Sequence, residues 1–254
     1  MKLIIEKIKK FIPDKFKTKL LLQFLGDRKL IQTYSQSGED LLLKKYFNRK
    51  IWSNHKGFYV DIGAYDPIKY SNTQLFYQYG WNGINIDATP GSMKQFNKLR
   101  KRDINLEFAV GSDNQAKTYY ISNYFQNINT FSRDFLKQND LENKINNKIK
   151  LKTKRLSSIL DKYLEVNQSI DFMTIDVEGM EESVLKSNNW EKYRPRILVV
   201  EIPGINFLEA INHPISQYIL ENKYFPFDKT ILYGENNIGS VFFHDELKEF
   251  YPKL

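Results

Sequence analysis

An α/β fold, a mainly parallel sheet with helices on both faces, is predicted by three features of the sequence. Residues 57–87 read as one strand, helix, strand unit. Two more strongly apolar runs, residues 170–175 and 197–202, read as strands buried on both sides, and a helical stretch follows each. Residues 224–233 and 240–244 read as a closing antiparallel pair. In such sheets ligands bind beyond the carboxyl ends of the strands.

The first unit carries the densest signal. Phe58, Tyr59, Val60 and Ile62 form a short apolar run that stops at Gly63-Ala64, with Asp61 as a charge inside it. Ser71, Asn72 and Thr73 offer capping oxygens to a helix bearing Leu75, Phe76 and Tyr79, and Gly80 stops that helix. Gly83 opens a second run, Ile84 and Ile86, which ends at Asp87. A carboxylate at that strand end, roughly twenty residues past a glycine turn, can accept hydrogen bonds from both hydroxyls of a ribose. A pyrophosphate takes three glycines in G-x-G-x-x-G, whereas Gly63 is followed by no glycine until Gly80. One glycine beside a carboxylate suits a ligand that is cationic at that point, such as the sulfonium and amino group of S-adenosylmethionine. This favours a methyl donor over NAD.

Taken in order, the chain starts with a basic leader, residues 1–33, and continues as a single domain, residues 34–254. Residues 1–28 hold eight basic residues against three acidic ones, out of a net charge of +8. Leu3, Ile4, Ile8 and Phe11 share a helical face there and Pro13 breaks it. A solvated first helix is the plain reading; contact with anionic lipid or a partner subunit is the other. Its apolar residues are interrupted by charges and no small-residue cleavage site follows, so it does not read as a signal peptide. No run of about twenty apolar residues is present to span a bilayer. In the segment 34–40, Tyr-Ser-Gln-Ser-Gly-Glu-Asp, Ser37 with Asp40 reads as a capping box, which leaves Gln36 and Glu39 for another task.

After Pro90, Met93, Phe96 and Leu99 mark one face of a helix, and residues 104–110 give the third strand, stopped at Gly111. Residues 116–122 and 148–154 alternate as half-exposed strands do. Between them residues 123–147 form a polar insertion with Tyr124, Phe125, Phe131 and Phe135, read as a mobile loop or a substrate lid. Leu156, Ile159, Leu160, Tyr163 and Leu164 mark the next helix. Asp176-Val177-Glu178-Gly179 ends the fourth strand and Glu201 lies at the end of the fifth. Pro214 must kink or break the helix expected over 205–222.

At 254 residues the chain can bury a full core. It has no cysteine, which excludes disulfides and thiolate metal sites, and His55, His213 and His244 are too widely spaced for a histidine-rich metal centre.

Four blocks agree in order and spacing: Tyr34 to Asp40, Gly57 to Ala64 with Ser71-Asn72-Thr73, Gly80 to Asp87, and Ile170 to Gly179. Together they resemble the FkbM family of S-adenosylmethionine-dependent methyltransferases, over residues 34–202. The resemblance implies a class I methyltransferase sheet, Rossmann-like, with seven strands and the last pair antiparallel. It also implies O-methylation of sugars or of polyketide-type products. Members commonly end the second strand with Glu-Pro; here Asp87-Ala88 stands, one methylene shorter. Tyr65 replaces a smaller polar residue, where it would stack on or shield the methionine part.

An alcohol nucleophile must lose its proton, a task worth about 10² to 10⁴ in rate. Asp176, Glu178 and Glu201 are the candidate bases, in that order, because all fall at the ends of central strands. Asp176 and Glu178 on an extended segment would project to one side and could also hold a divalent cation. His213, beside Pro214, is a weaker candidate. For the methyl donor, Asp61, Gly63, Ala64 and Tyr65 are expected at the methionine part and Asp87 with Ala88 at the ribose. Val110 and Gly111 are expected at the adenine. Gln36, Glu39, Asn72 and Thr73 close over the amino-acid end, next to Asp176.

The expected substrate is a sugar hydroxyl on a nucleotide-activated sugar or a surface polysaccharide precursor, and the expected location is cytoplasmic or at the membrane surface. D-V-E-G lacks the two prolines and aromatic of enzymes that methylate base amino groups, so no nucleic acid is expected. The competing readings are a non-catalytic nucleic-acid- or membrane-binding protein on a nucleoside-binding fold, and a methyltransferase for a non-sugar small molecule. Self-association is open.

Overall fold

The computed structural model describes residues 32–204, 206–231 and 238–248. Most of the basic leader therefore lies outside the described residues. In the unit that starts at Thr33, the first helices are α1 (Glu39–Tyr46) and α2 (Asn48–Trp52), followed by β1 (Phe58–Ile62), α3 (Gln74–Gln78) and β2 (Asn82–Asp87). Next come α4 (Met93–Leu99), β3 (Ile104–Glu107), β4 (Ala109–Val110) and β5 (Ala116–Ile121). The insertion carries α5 (Arg133–Gln138) between two 3-10 turns and leads into β6 (Asn147–Lys154) and α6 (Leu156–Tyr163). The chain then runs through β7 (Phe172–Ile175), α7 (Glu181–Lys186), β8 (Ile197–Pro203), α8 (Phe207–Asn212) and α9 (Pro214–Glu221). It ends on β9 (Tyr224–Lys229) and β10 (Ile238–Asp245).

Seven strands form one sheet in the order β3-β2-β1-β7-β8-β10-β9. The first five are parallel, and β10 runs antiparallel to both β8 and β9. This is the class I methyltransferase sheet that the sequence predicts. Pro226 is tolerated in β9 because β9 is an edge strand, where a missing N–H costs no ladder bond.

The two-residue period of a strand sends neighbours to opposite faces. Phe58, Val60 and Ile62 join Ile84, Ile86, Met173 and Val200 in one core, with Leu156, Ile159 and Leu160 of α6 packed on it. Tyr59 points the other way, to Phe172, Val199 and the aromatic cluster under α1 and α3. Trp81 sits fully buried there, with Phe76, Phe47 and Phe172 at ring-centroid distances of 4.9, 5.3 and 6.2 Å. Gly57 lets it in: a Cβ at that position would lie 2.4 Å from the indole. Trp81→Ala is expected to cost about 3 to 5 kcal/mol, read as a lower urea midpoint at unchanged slope.

Several local expectations are corrected. The third strand is split: β3 pairs with β2, while β4 pairs with β6 in a separate sheet of three strands, β4-β6-β5. In α4 Leu99 is 44 % exposed, and the buried face is Met93, Phe96 and Arg100 instead. The capping box is displaced: Ser35, not Ser37, exchanges hydrogen bonds with Asp40, and Gly38 in the left-handed region precedes the helix. Pro214 does break its helix, with His213 as N-cap of α9 accepting from Ile215 N, so that histidine is spent on capping. No helix among the described residues is long and apolar enough to cross a membrane.

Candidate active site

The carboxyl ends of β1, β2, β7 and β8 open into a cavity of about 470 Å³. Its floor is made by the turn after β1. Gly63, at φ +84°, brings the backbone so near the end of β7 that a Cβ would fall 1.7 Å from the Asp176 carbonyl oxygen. Gly63 N and Ala64 N both donate to Ile86 O, and Asp176 N donates to Ile62 O. The three strand ends are thus locked together around one residue without a side chain.

Asp87 lies at the cavity, buried, its carboxylate accepting from Tyr65 N at 3.1 Å and Thr89 N at 2.7 Å. Burial raises its pKa, and those two N–H groups oppose the rise. Ala88, Phe108 and Val110 line the same end, an apolar wall beside a hydrogen-bond acceptor.

Across the cavity the carboxyl oxygens of Asp176 and Glu201 lie within 4.8 Å of one another. Loss of solvation raises both pKa values, Asp176 to about 7, and the repulsion of each by neighbouring carboxylates adds to it. The surface of each is half-open to the cavity although protein surrounds the rest. Two carboxyl groups this close hold one proton between them. Glu201 acts to lower the Asp176 pKa, and Asp176 to raise that of Glu201.

Glu178 is not the partner that an extended segment would have made it. Glu178 at φ +53° and Gly179 at φ +89° turn the chain back, so the strand-like projection ends at Asp176. Glu178 still lines the cavity, and its carbonyl accepts from Thr130 Oγ1 at 2.6 Å. The turn is tied by Glu181, whose Oε1 accepts from Val177 N and Gly179 N. The trio with cation-holding geometry is correspondingly Asp176, Glu181 and Glu201, with oxygens within 4.8 Å of one another, rather than Asp176 with Glu178.

The Methyltransferase FkbM domain family matches residues 61–226. The chain belongs to the FkbM methyltransferase family. Among solved structures it is similar to methyltransferase FkbM from Methylobacillus flagellatus, at 14% identity over 74% of this chain and 44% of that one, TM-score 0.44. It is similar also to WbdD, at 9% identity over 82% and 39%, TM-score 0.45. A third is 1,6-didemethyltoxoflavin-N1-methyltransferase of Burkholderia thailandensis, solved with 1,6-didemethyltoxoflavin and S-adenosylhomocysteine, at 8% identity over 92% and 90%, TM-score 0.42. The chain spans less than half the length of the first two. No curated protein matches it.

In this FkbM-family chain the other expected site residues divide. Gln36 and Tyr65 line the main cavity, and Gln36, Glu39 and Asn72 line a small adjoining cleft with Asp176 and Glu201. Glu39 accepts from Ser37 N and from Thr230 Oγ1, and Asn72 donates to Thr174 Oγ1. Asp61, Ala64, Thr73 and Gly111 sit behind the lining; Gly111 packs on Thr153 and donates to Lys154 O. The insertion is a wall of the cavity: Phe125, Asn127, Phe131, Phe135 and Lys144 face it. Asn129 and Tyr119 bind it to Thr89, next to Asp87, and Thr130 binds it to Glu178.

Arg100 and Glu181 were not read as site residues from the sequence. The signal for Arg100 is its place four and seven residues beyond Phe96 and Met93 on a helix face that has to be buried.

Proposed function

We propose that this chain transfers the methyl group of S-adenosylmethionine to a hydroxyl of a sugar, on a nucleotide-activated precursor or a surface polysaccharide precursor, with Asp176 as the base. The carrying observation is the Asp176–Glu201 pair, two strand-end carboxyl groups with oxygens within 4.8 Å of one another, lining the same cavity as Asp87.

The residues present fit the donor. Asp87 keeps lone pairs for the ribose hydroxyls after its two backbone donors, and Phe108 and Val110 offer an apolar seat for the adenine. Asp61 receives a hydrogen bond only from Thr73 among the described residues, which leaves acceptor capacity for the cationic amino-acid end. S-adenosylmethionine supplies a methyl group on a sulfur already activated for displacement. The protein has to align the acceptor oxygen with that methyl group, which in favourable cases is worth about 7 to 11 kcal/mol. Asp176 takes the hydroxyl proton, with Glu201 beside it acting to lower its pKa. Aromatic rings and side-chain amides of the insertion suit the faces and hydroxyls of a sugar.

A divalent cation on Asp176, Glu181 and Glu201 is a second reading, favoured by their clustering. The basic excess of residues 1–28 supports work at an anionic membrane face. The test is methyl transfer over a panel of nucleotide sugars and glycans, with and without chelator. Transfer to a sugar hydroxyl, unaffected by chelator, is the expected result; transfer only to non-sugar acceptors defeats the substrate assignment. For Asp87→Ala the dissociation constant of S-adenosylhomocysteine should rise about tenfold to hundredfold. An unchanged constant in calorimetry removes Asp87 from the site.

A further inference from the structure

Arg100 is the largest charged side chain in the interior and is fully buried. Its Nε donates to Asp103 Oδ2 at 2.9 Å, an ion pair that would by itself account for a structural arginine. The remaining donors go elsewhere. Nη1 reaches Pro67 O at 3.0 Å and Gln74 Oε1 at 3.2 Å, while Nη2 reaches Tyr59 OH at 2.7 Å and Thr73 Oγ1 at 2.9 Å. Three of these partners, Pro67, Thr73 and Gln74, belong to the loop and first helical turn that follow the Gly63 bend.

The direction of the chain of bonds is fixed by chemistry. A guanidinium has no acceptor, so Thr73 Oγ1 must accept from Arg100. Its single proton is then sent to Asp61 Oδ2, 2.9 Å away. Ser71 Oγ, 3.2 Å from the same hydroxyl, accepts from Gln74 N and caps α3, which leaves Thr73 free for Asp61.

We infer that Arg100 is a positioning residue for the methyl donor: through Thr73 it fixes Asp61, buried just behind the cavity lining, beneath the donor's cationic amino-acid end. The inference rests on the proposed placement of the donor. The groups facing Asp61 divide in sign. Burial drives its carboxyl up to about 6, Asp103 and Asp87 push it the same way, the Thr73 bond with the Arg100 charge pulls it down, and Asp61 in turn raises Asp176. With the Thr73 bond gone, Asp61 would hold its proton to higher pH and lose its hold on an ammonium group there.

The test is calorimetric titration of wild type, Thr73→Val, Thr73→Ser and Arg100→Lys, from about pH 5 to about pH 8.5. Two probes are used: S-adenosylhomocysteine, and 5′-methylthioadenosine, which lacks the amino-acid end. Wild-type affinity for S-adenosylhomocysteine should fall on the acid side. In Thr73→Val and Arg100→Lys that fall should move up by about one pH unit, a roughly tenfold loss near its midpoint, while Thr73→Ser keeps the wild-type profile. Methylthioadenosine affinity should stay level across the set. An equal loss for both probes, or a loss independent of pH, reduces Arg100 to a structural ion pair and overturns the inference. Should Arg100→Lys not fold, Thr73→Val decides by itself. Wild type that binds methylthioadenosine but shows no acid fall with S-adenosylhomocysteine overturns the placement of Asp61 as well.

Discussion

Asp176→Asn is expected to lower methyl transfer by about 10² to 10⁴-fold while the dissociation constant of S-adenosylhomocysteine stays within about tenfold. The substitution keeps the size of the side chain and its place beside Glu201, so the cavity keeps its shape. What disappears is the acceptor for the substrate's proton. The same residue sets the pH profile. Asp176 works when deprotonated, and its pKa is raised to about 7, first by burial and then by the charge of Glu181. Turnover in wild type should therefore fall as the pH drops below about 7 and level off above it. The limb belongs to the pair with Glu201, since the two titrate together. Glu201→Leu removes the neighbour that holds the Asp176 pKa down and should move the limb to higher pH. Single-turnover rates measured against pH check both statements. A fully active Asp176→Asn enzyme would remove it as the base.

Gly63→Ala is expected to destabilise the protein by about 2 to 5 kcal/mol, adding the left-handed penalty of roughly 1 to 2 kcal/mol to an overpacking cost of roughly 1 to 3. The new methyl carbon would be placed 1.7 Å from the Asp176 carbonyl oxygen and 2.8 Å from its carbon, and both are backbone atoms. No rotamer change relieves such a clash. The β1 turn and the β7 end must separate, which also moves Asp176 relative to Asp87. Urea unfolding should show the lost stability, and calorimetry should show weaker S-adenosylhomocysteine binding in whatever folds. Wild-type stability in this variant would mean that the strand ends are not held as tightly as the hydrogen bonds of Gly63, Ala64 and Asp176 imply.

Much of this arrangement is legible in the residues. Strands buried on both faces are mostly apolar, so β1, β2, β7 and β8 announce themselves, and the few carboxylates in or beside them stand out. The split of β3 from β4 is not legible, because no glycine or proline at or beside Phe108 marks the point where the chain changes sheet. Asp176 was paired with Glu178 by two-residue spacing; Glu178, a residue type that rarely takes positive φ, reversed the chain at that point. Arg100 escaped for the opposite reason, a charge on a face where only apolar residues were counted. Asp103 is only three residues on, but Tyr59 and Thr73 lie on distant segments that no local pattern links to it.

The excursion between β5 and β6 supplies most of one side of the cavity from a single uninterrupted piece of chain, whose two ends leave neighbouring antiparallel strands. Such a piece can be lengthened, shortened or swapped during descent while the glycine bend and the strand tips stay as they are. Substrate range in relatives should then vary with that one interval, and grafting it onto another member is the direct way to transplant acceptor choice without rebuilding the donor half.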